Sequence, residues 1–303
     1  MAKYHVLYNP LAGNGACKET VHELDSVLSG DEIVYCDMTG IGDYAEFFKS
    51  VTEEERLLIA GGDGTLNRFI NDTIGILPER DIYYFAAGSG NDFLHDITDG
   101  AEDKVVRVIT QYIKNLPVVT VNGKRYKFLN GIGYGIDGYC CEVGDAMRVA
   151  GKKDINYTSI AIKGLLGGYK RVNAAVTVDG ETHEYKKVWL VPTMNGRFYG
   201  GGMMATPAQD RLDPDGYVNT MVMYGQNKLK TLMVFPSIFK GKHVDHKEMV
   251  EVFKGHRVKV VFDTPTALQI DGETILGVTE YEVDASAAAR RSERRYFLPG
   301  RIL

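Results

Sequence analysis

Cysteine is scarce in this chain. Its 303 residues hold four, too few for a disulfide scaffold at this length. Cys17 and Cys36 are isolated, Cys140 and Cys141 are adjacent, and none has metal-ligand spacing. They read as reduced structural thiols, which suits a cytoplasmic protein. The seven histidines form no metal spacing either. No run approaches the ~18 apolar residues of a membrane-spanning helix. The opening MAKYHVLYNP lacks the charged-then-apolar form of a signal peptide. An excess of positive charge is also missing. Thirty-five Lys and Arg face 40 Asp and Glu, for a net charge of -5, so no nucleic-acid partner is expected. With 34 glycines, 9 prolines, 44% hydrophobic and 25% charged residues, disorder, collagen and coiled coil are excluded. There is no internal repeat and no low-complexity segment.

The length suggests about two domains, and the pattern divides the same way. Strand signals at Tyr4–Tyr8, Glu32–Cys36, Leu57–Ala60 and Ile82–Phe85 alternate with helical spacing around Val21–Leu28, Asp43–Val51 and Leu66–Ile74. Such alternation predicts βαβ units and a parallel sheet. A further helical stretch is expected over Lys104–Asn115. From Pro117 the chain turns to short β-rich runs with turns at Asn122-Gly123, Asp179-Gly180 and Asp215-Gly216. Helical interruptions fall near 143–171 and 227–240. The reading is an α/β first domain over 1–120 and an antiparallel sandwich or barrel over 121–284. The tail, 285–303, would fold back onto the first domain.

Three glycine-bearing loops leave strands on one edge of the parallel sheet, where α/β folds bind ligands. They are Asn9–Gly15 (NPLAGNG), Gly61-Gly62-Asp63-Gly64-Thr65 and Gly88-Ser89-Gly90-Asn91. Glycines allow close approach to phosphate, and a helix N-terminus follows the latter two loops. Thr65 offers a hydroxyl. Asp63 among phosphates makes sense if Mg²⁺ bridges them; otherwise it is the N-cap of a helix after a glycine-rich turn. Neither the Rossmann GxGxxG nor the Walker A pattern is present.

NPLAGNG, GGDGTLN and GSGNDF, in this order, resemble the diacylglycerol kinase catalytic family, which includes bacterial soluble lipid kinases and sphingosine kinases. The likeness continues through Asn130–Asp137, Tyr199–Met203, Pro207-Ala208, Asp215-Gly216 and Gln269–Glu273. The resemblance implies a three-layer α/β nucleotide-binding domain, related to those of NAD kinases and phosphofructokinases, followed by a β-sandwich. It implies Mg²⁺-dependent transfer of the ATP γ-phosphoryl group to a lipid hydroxyl, such as that of diacylglycerol. By position, Gly61, Gly62, Asp63, Gly64 and Thr65 would bind ATP and its metal. Asn9, Gly88, Ser89, Gly90 and Asn91 would complete the nucleotide site. Asp271 would be the general base, supported by Glu273, although Asp271-Gly272 by itself also reads as a hairpin turn. Asp213, Asp215 and the Tyr217 carbonyl would hold a structural Mg²⁺, and the same residues equally suit a solvated turn. Homodimers are common in that family.

Departures from the family pattern are clear. Arg68 replaces the glutamate of GGDGTxNE, Asn14 and Gly15 stand where the first loop often carries a cation, the proline before GSGND is absent, and His95 replaces an arginine. Arg68 and the missing loop cation motivate one rival, a nucleotide-binding regulatory protein without transfer activity; the shared GGDGT motivates another, an enzyme like NAD kinase. The stretch Arg148–Arg171 mixes lysines with apolar residues, as a peripheral contact with the inner membrane face would, or as an amphipathic helix packed on the sandwich would. Arg290–Arg295 is a second basic patch.

Overall fold

A computed structural model describes residues 1–288, apart from Ser89, 101–103, 153–154 and Gln226. Expectations placed on Ser89, Lys153 and the tail from 289 onward lie outside the described residues.

The first sheet contains β1 (Lys3–Tyr8), β2 (Glu32–Asp37), β3 (Arg56–Gly61), β4 (Ile82–Ala86) and β5 (Arg107–Val108). The order is β2-β1-β3-β4-β5, and the first four run parallel. In β3, Leu57 and Ile59 enter one apolar cluster with Leu66, Phe69 and Phe93, while Leu58 and Ala60 enter another with Val21 and Leu24. Both faces are therefore covered by helices, giving three layers. The helix Tyr44–Ser50 starts where Asp43 accepts from the N–H groups of Ala45 and Glu46 at 2.8 and 3.1 Å. The helix expected over Lys104–Asn115 is a correction. Arg107–Val108 joins the sheet as an antiparallel edge beside Tyr83 and Tyr84, and only Thr110–Ile113 is helical. The edge of β4 offers unpaired backbone groups, and satisfying them outweighs a weak helical period.

The second sheet has ten strands and is built by antiparallel pairing. Its central piece is the long strand Arg257–Ile270, whose first half pairs with Val172–Val178 and whose last residues pair with Gly131–Tyr134. One strand thus joins two layers, and the hydrogen-bonding path returns on itself around a core containing Phe128, Tyr134, Val188, Val260 and Tyr281. Val118–Val121 pairs with Tyr281–Asp284 and so belongs to this sheet. The turns Asn122-Gly123, Asp179-Gly180 and Asp271-Gly272 all have positive φ at both residues, the requirement of a type I′ hairpin. A helix over Ile136–Val149, another over Tyr157–Lys163 and a π-turn over Gly164–Gly168 cover one side with Lys228–Val234. Among the described residues, no helix is long and apolar enough to cross a membrane.

Candidate functional site

β1, β3 and β4 are neighbours, with Tyr8 beside Ala60 and Gly61 beside Ala86. The three glycine-bearing loops therefore leave one edge side by side. In the first, Asn9 accepts from the Leu11 N–H at 3.0 Å through its side chain. Thr20, on the helix that follows, donates to the Ala87 carbonyl at 2.9 Å and ties this loop to the third. The second and third loops interlock. The Asp63 N–H donates to the Gly90 carbonyl at 3.0 Å, and the Ala87 N–H to the Gly61 carbonyl at 3.2 Å. A Cβ added at Gly62 would lie 2.7 Å from the Gly90 oxygen, and one at Gly88 would lie 2.5 Å from the Gly62 nitrogen. Gly64 and Gly90 face open space instead.

Two buried polar atoms at this edge, Thr65 Oγ1 and Asn91 Oδ1, have no hydrogen-bond partner among the described residues. Buried orphans are rare in folded proteins, and each calls for an explanation. The threonine hydroxyl can donate to a phosphate oxygen, and the asparagine oxygen can accept from a ligand hydroxyl. Together with the open glycines they fit a nucleotide. Two substitutions should separate packing from binding. Gly88→Ala forces backbone against backbone and should cost about 1–3 kcal/mol, read as a fall in melting temperature. Gly64→Ala meets no atom within 4 Å; it should leave the melting temperature within about 2 °C and would weaken, about tenfold or more, the binding of any phosphate group that approaches the open backbone there. Equal effects of the two on binding and stability would contradict this division.

Asp63 does not cap its own helix, Asp63–Asp72, whose N-cap is Gly62. Its carboxylate reaches across and accepts from the N–H groups of Asp92 and Phe93 at 2.8 and 3.2 Å, capping the helix Asp92–Ile97. Burial, then the charge of Asp92, push its pKa up to about 7. Asp92 in turn accepts from the Gly201 and Gly202 N–H groups at 2.8 and 2.6 Å. Gly200, Gly201 and Gly202 all have positive φ, so three successive residues here need glycine. Asp63, Asp92 and the 199–203 loop thus form one chain of contacts from the first sheet to the two-stranded hairpin of Phe198–Tyr199 and Met203–Met204.

Asp271 sits in its type I′ turn, with Glu273 opposite Ile270 on the emerging strand. Its carboxylate takes four donors: Asn67 Nδ2 at 2.7 Å and the N–H groups of Leu129, Asn130 and Gly131 at 2.5, 2.8 and 3.0 Å. A carboxylate has about four acceptor positions, so all are filled. Burial raises its pKa, and these donors oppose the rise without cancelling it. Asp271-Gly272 is thus the hairpin turn that its sequence suggests. Asn67 lies on the helix that follows GGDG, so Asp271 touches the helix launched by the second glycine loop. Glu273 is exposed and, among the described residues, makes no hydrogen bond to Asp271.

The Asp213–Tyr217 loop does not fit Mg²⁺. The Asp213 carboxylate binds the Lys254 ammonium at 2.6 Å and accepts from the Asp215 N–H at 2.9 Å. The Tyr217 carbonyl accepts from Gln209 Nε2 at 3.0 Å. Only the Asp215 carboxylate is left to a hard cation, which needs several converging oxygens. No cluster of three or more His, Cys, Asp or Glu side chains able to hold a metal occurs among the described residues.

Other residues of the seam carry no signal in the sequence. Asp96 is bound by Arg197 at 2.6 Å and Arg211 at 2.8 Å, with Asp96 and Arg211 side chains 5% and 4% exposed. Arg211 also donates to the Leu129 carbonyl and Asn130 Oδ1. These partners are about 80 to 115 residues apart in sequence, beyond any periodicity or local motif. Arg68 turns outward and pairs with Asp72 at 3.4 Å on the exposed helix face. His95 packs edge-on against Phe198.

Comparison with known proteins agrees with this architecture. Residues 3–121 match the diacylglycerol kinase catalytic domain, and residues 130–287 match the YegS C-terminal NAD kinase beta sandwich-like domain. The chain is 25% identical to "Putative lipid kinase YtlR" of Bacillus subtilis over 78% of this chain and 79% of that one. It is 27% identical to "Putative lipid kinase SaurJH9_0749" of Staphylococcus aureus over 86% and 82% of the two chains. A crystal structure titled as a putative diacylglycerol kinase from Bacillus anthracis superposes with a TM-score of 0.63 at 20% identity, covering 93% of each chain. The chain belongs to the family that joins a diacylglycerol kinase catalytic domain to a YegS-type beta sandwich-like domain, a family of lipid-kinase-like proteins.

Proposed function

We propose that this protein transfers the γ-phosphoryl group of ATP to a lipid hydroxyl, with diacylglycerol as acceptor. One observation carries the reading: the helix that begins in the GGDGT loop also holds, through Asn67, the carboxylate of Asp271. A phosphate-binding edge and a candidate base are thereby fixed to one rigid element, which is what a reaction governed by positioning needs. Gly64, Gly90, Thr65 and Asn91 bind the nucleotide. Asp63 holds the third loop in place by capping its helix. Asp271 takes the proton of the acceptor hydroxyl. To do so it must release one donor, and Asn67 is the only side chain among the four. Mg²⁺ accompanying ATP supplies neutralisation of phosphate charge at this edge.

The acceptor's source is a membrane surface. Leu229 and Met233 are 72% and 74% exposed on the outer face of the helix Lys228–Val234, and Leu166 is 62% exposed on the π-turn packed beside it. Inner residues Leu165, Thr231 and Val234 are buried. Segments 155–178 and 227–244 contain no acidic residue and carry Lys163, Lys170, Lys228, Lys240 and Lys242. Exposed apolar side chains on segments that carry lysine and no acid suit an anionic bilayer. The stretch Arg148–Arg171 thus supports both of its readings, with a packed inner face and an apolar outer one.

The test is transfer of labelled γ-phosphate with Mg²⁺ to anionic vesicles containing diacylglycerol. Label in phosphatidic acid is expected. Label in another lipid of a total extract would keep the chemistry and move the acceptor. Label in NAD would favour the NAD kinase reading, and bound ATP with no acceptor would favour a regulatory protein.

A further inference from the structure

The loop expected to hold a divalent ion already holds a cation of the chain itself. Lys254 lies on the strand Val250–Gly255, opposite Asn219, and projects to the loop that precedes the strand Val218–Tyr224. Its ammonium is 2.6 Å from Asp213 Oδ2 and 4.5 Å from the centre of the Tyr217 ring. Tyr217 stacks on His256 with centres 3.9 Å apart. His256 Nε2 donates to the Asp215 carbonyl at 2.8 Å, so this nitrogen carries the proton. Gln209 bridges the carbonyls of Asp210 and Tyr217. Every oxygen of Asp213 and Tyr217 that would face a metal therefore faces a protein donor.

We infer that Lys254 replaces the divalent ion of this loop, and that the loop holds its shape without metal. Three features support this. One positive charge already balances Asp213, and a second cation beside it would be repelled. Mg²⁺ demands a near-octahedral oxygen shell, which would require Lys254 and Gln209 both to leave. The ring of Tyr217 gives the ammonium a second favourable contact, one that an ion retaining its water shell would forgo. The consequence reaches the seam, because the same loop carries Arg211, the partner of Asp96. Holding this loop with a lysine makes that ion pair independent of the metal supply.

The inference is independent of the proposed reaction, and its test needs no turnover. Nucleotide-free protein is titrated with Mn²⁺, a Mg²⁺ mimic detected by paramagnetic resonance, and its melting temperature is recorded in Mg²⁺ and in chelator. Wild type and Asp213→Asn should bind Mn²⁺ alike, and wild type should melt within about 1 °C in the two solutions. Lys254→Met should lower the melting temperature in chelator by about 1–3 °C, as expected for an exposed pair, and with Gln209→Ala added it should gain one Mn²⁺ site that Asp213→Asn removes. Lys254→Arg should remain close to wild type. A stoichiometric Mn²⁺ site in wild type lost in Asp213→Asn would overturn the inference. So would a Lys254→Met protein that melts like wild type in chelator.

Discussion

Asp271→Asn should lower phosphoryl transfer by about 10²–10⁴-fold, the contribution typical of a general base, while ATP still binds. The amide cannot take a proton, yet it nearly matches the carboxylate in shape. Its fold cost is separate and predictable. The carboxylate receives two donors on each oxygen, whereas an amide presents one oxygen and one NH₂ group. One pair of donors then meets another donor, at about 1–3 kcal/mol. Melting temperature and ATP affinity measured beside the rate separate the two effects. The pH profile gives a second check. Burial holds the Asp271 pKa above the ordinary carboxylate range, and the base must be ionised to act. Activity should therefore fall with acidification at a higher pH than an unperturbed aspartate would give. A variant with ATP bound and transfer within tenfold of wild type would remove Asp271 from the role.

Arg211→Ala should be the most destabilising single change at the seam, by about 3–5 kcal/mol. Its side chain is 4% exposed and serves the Asp96 carboxylate, the Leu129 carbonyl and Asn130 Oδ1, with Cζ 5.0 Å from the centre of the Phe93 ring. Truncation leaves Asp96 buried with only Arg197 and takes the donor from Asn130 Oδ1, while the Leu129 carbonyl keeps Asn195 Nδ2 at 2.9 Å. For a chain of this size the melting temperature should drop by about 10 °C. Arg211→Lys should recover little, since an ammonium cannot reproduce three donor directions in one plane. A fall of less than about 2 °C for Arg211→Ala would show that Arg197 and water satisfy Asp96 unaided.

Some features of the site follow from local sequence because their causes are local. The GGDGT and GSGND loops were readable since glycine runs between a strand and a helix have one common geometric use. The hairpins at 122–123, 179–180 and 271–272 were readable because Asn-Gly and Asp-Gly adopt positive φ at little cost. The segment 104–115 departs from its helical period because its fate depends on an open edge of β4, a neighbour distant in sequence.

The sequence by itself determined the two kinds of domain, the adjacency of the glycine-bearing strand exits and the turn that presents Asp271, all consequences of period, glycine and chain order. Only the tertiary structure decided which atoms meet across the seam. Asp63 caps a neighbouring helix instead of its own, Asn67 finds Asp271 at a separation of 204 residues, and Lys254 fills the place expected for an ion. The first two choices depend on burial, which makes every unpaired charge costly, and all three depend on the packing of segments that the local code cannot see.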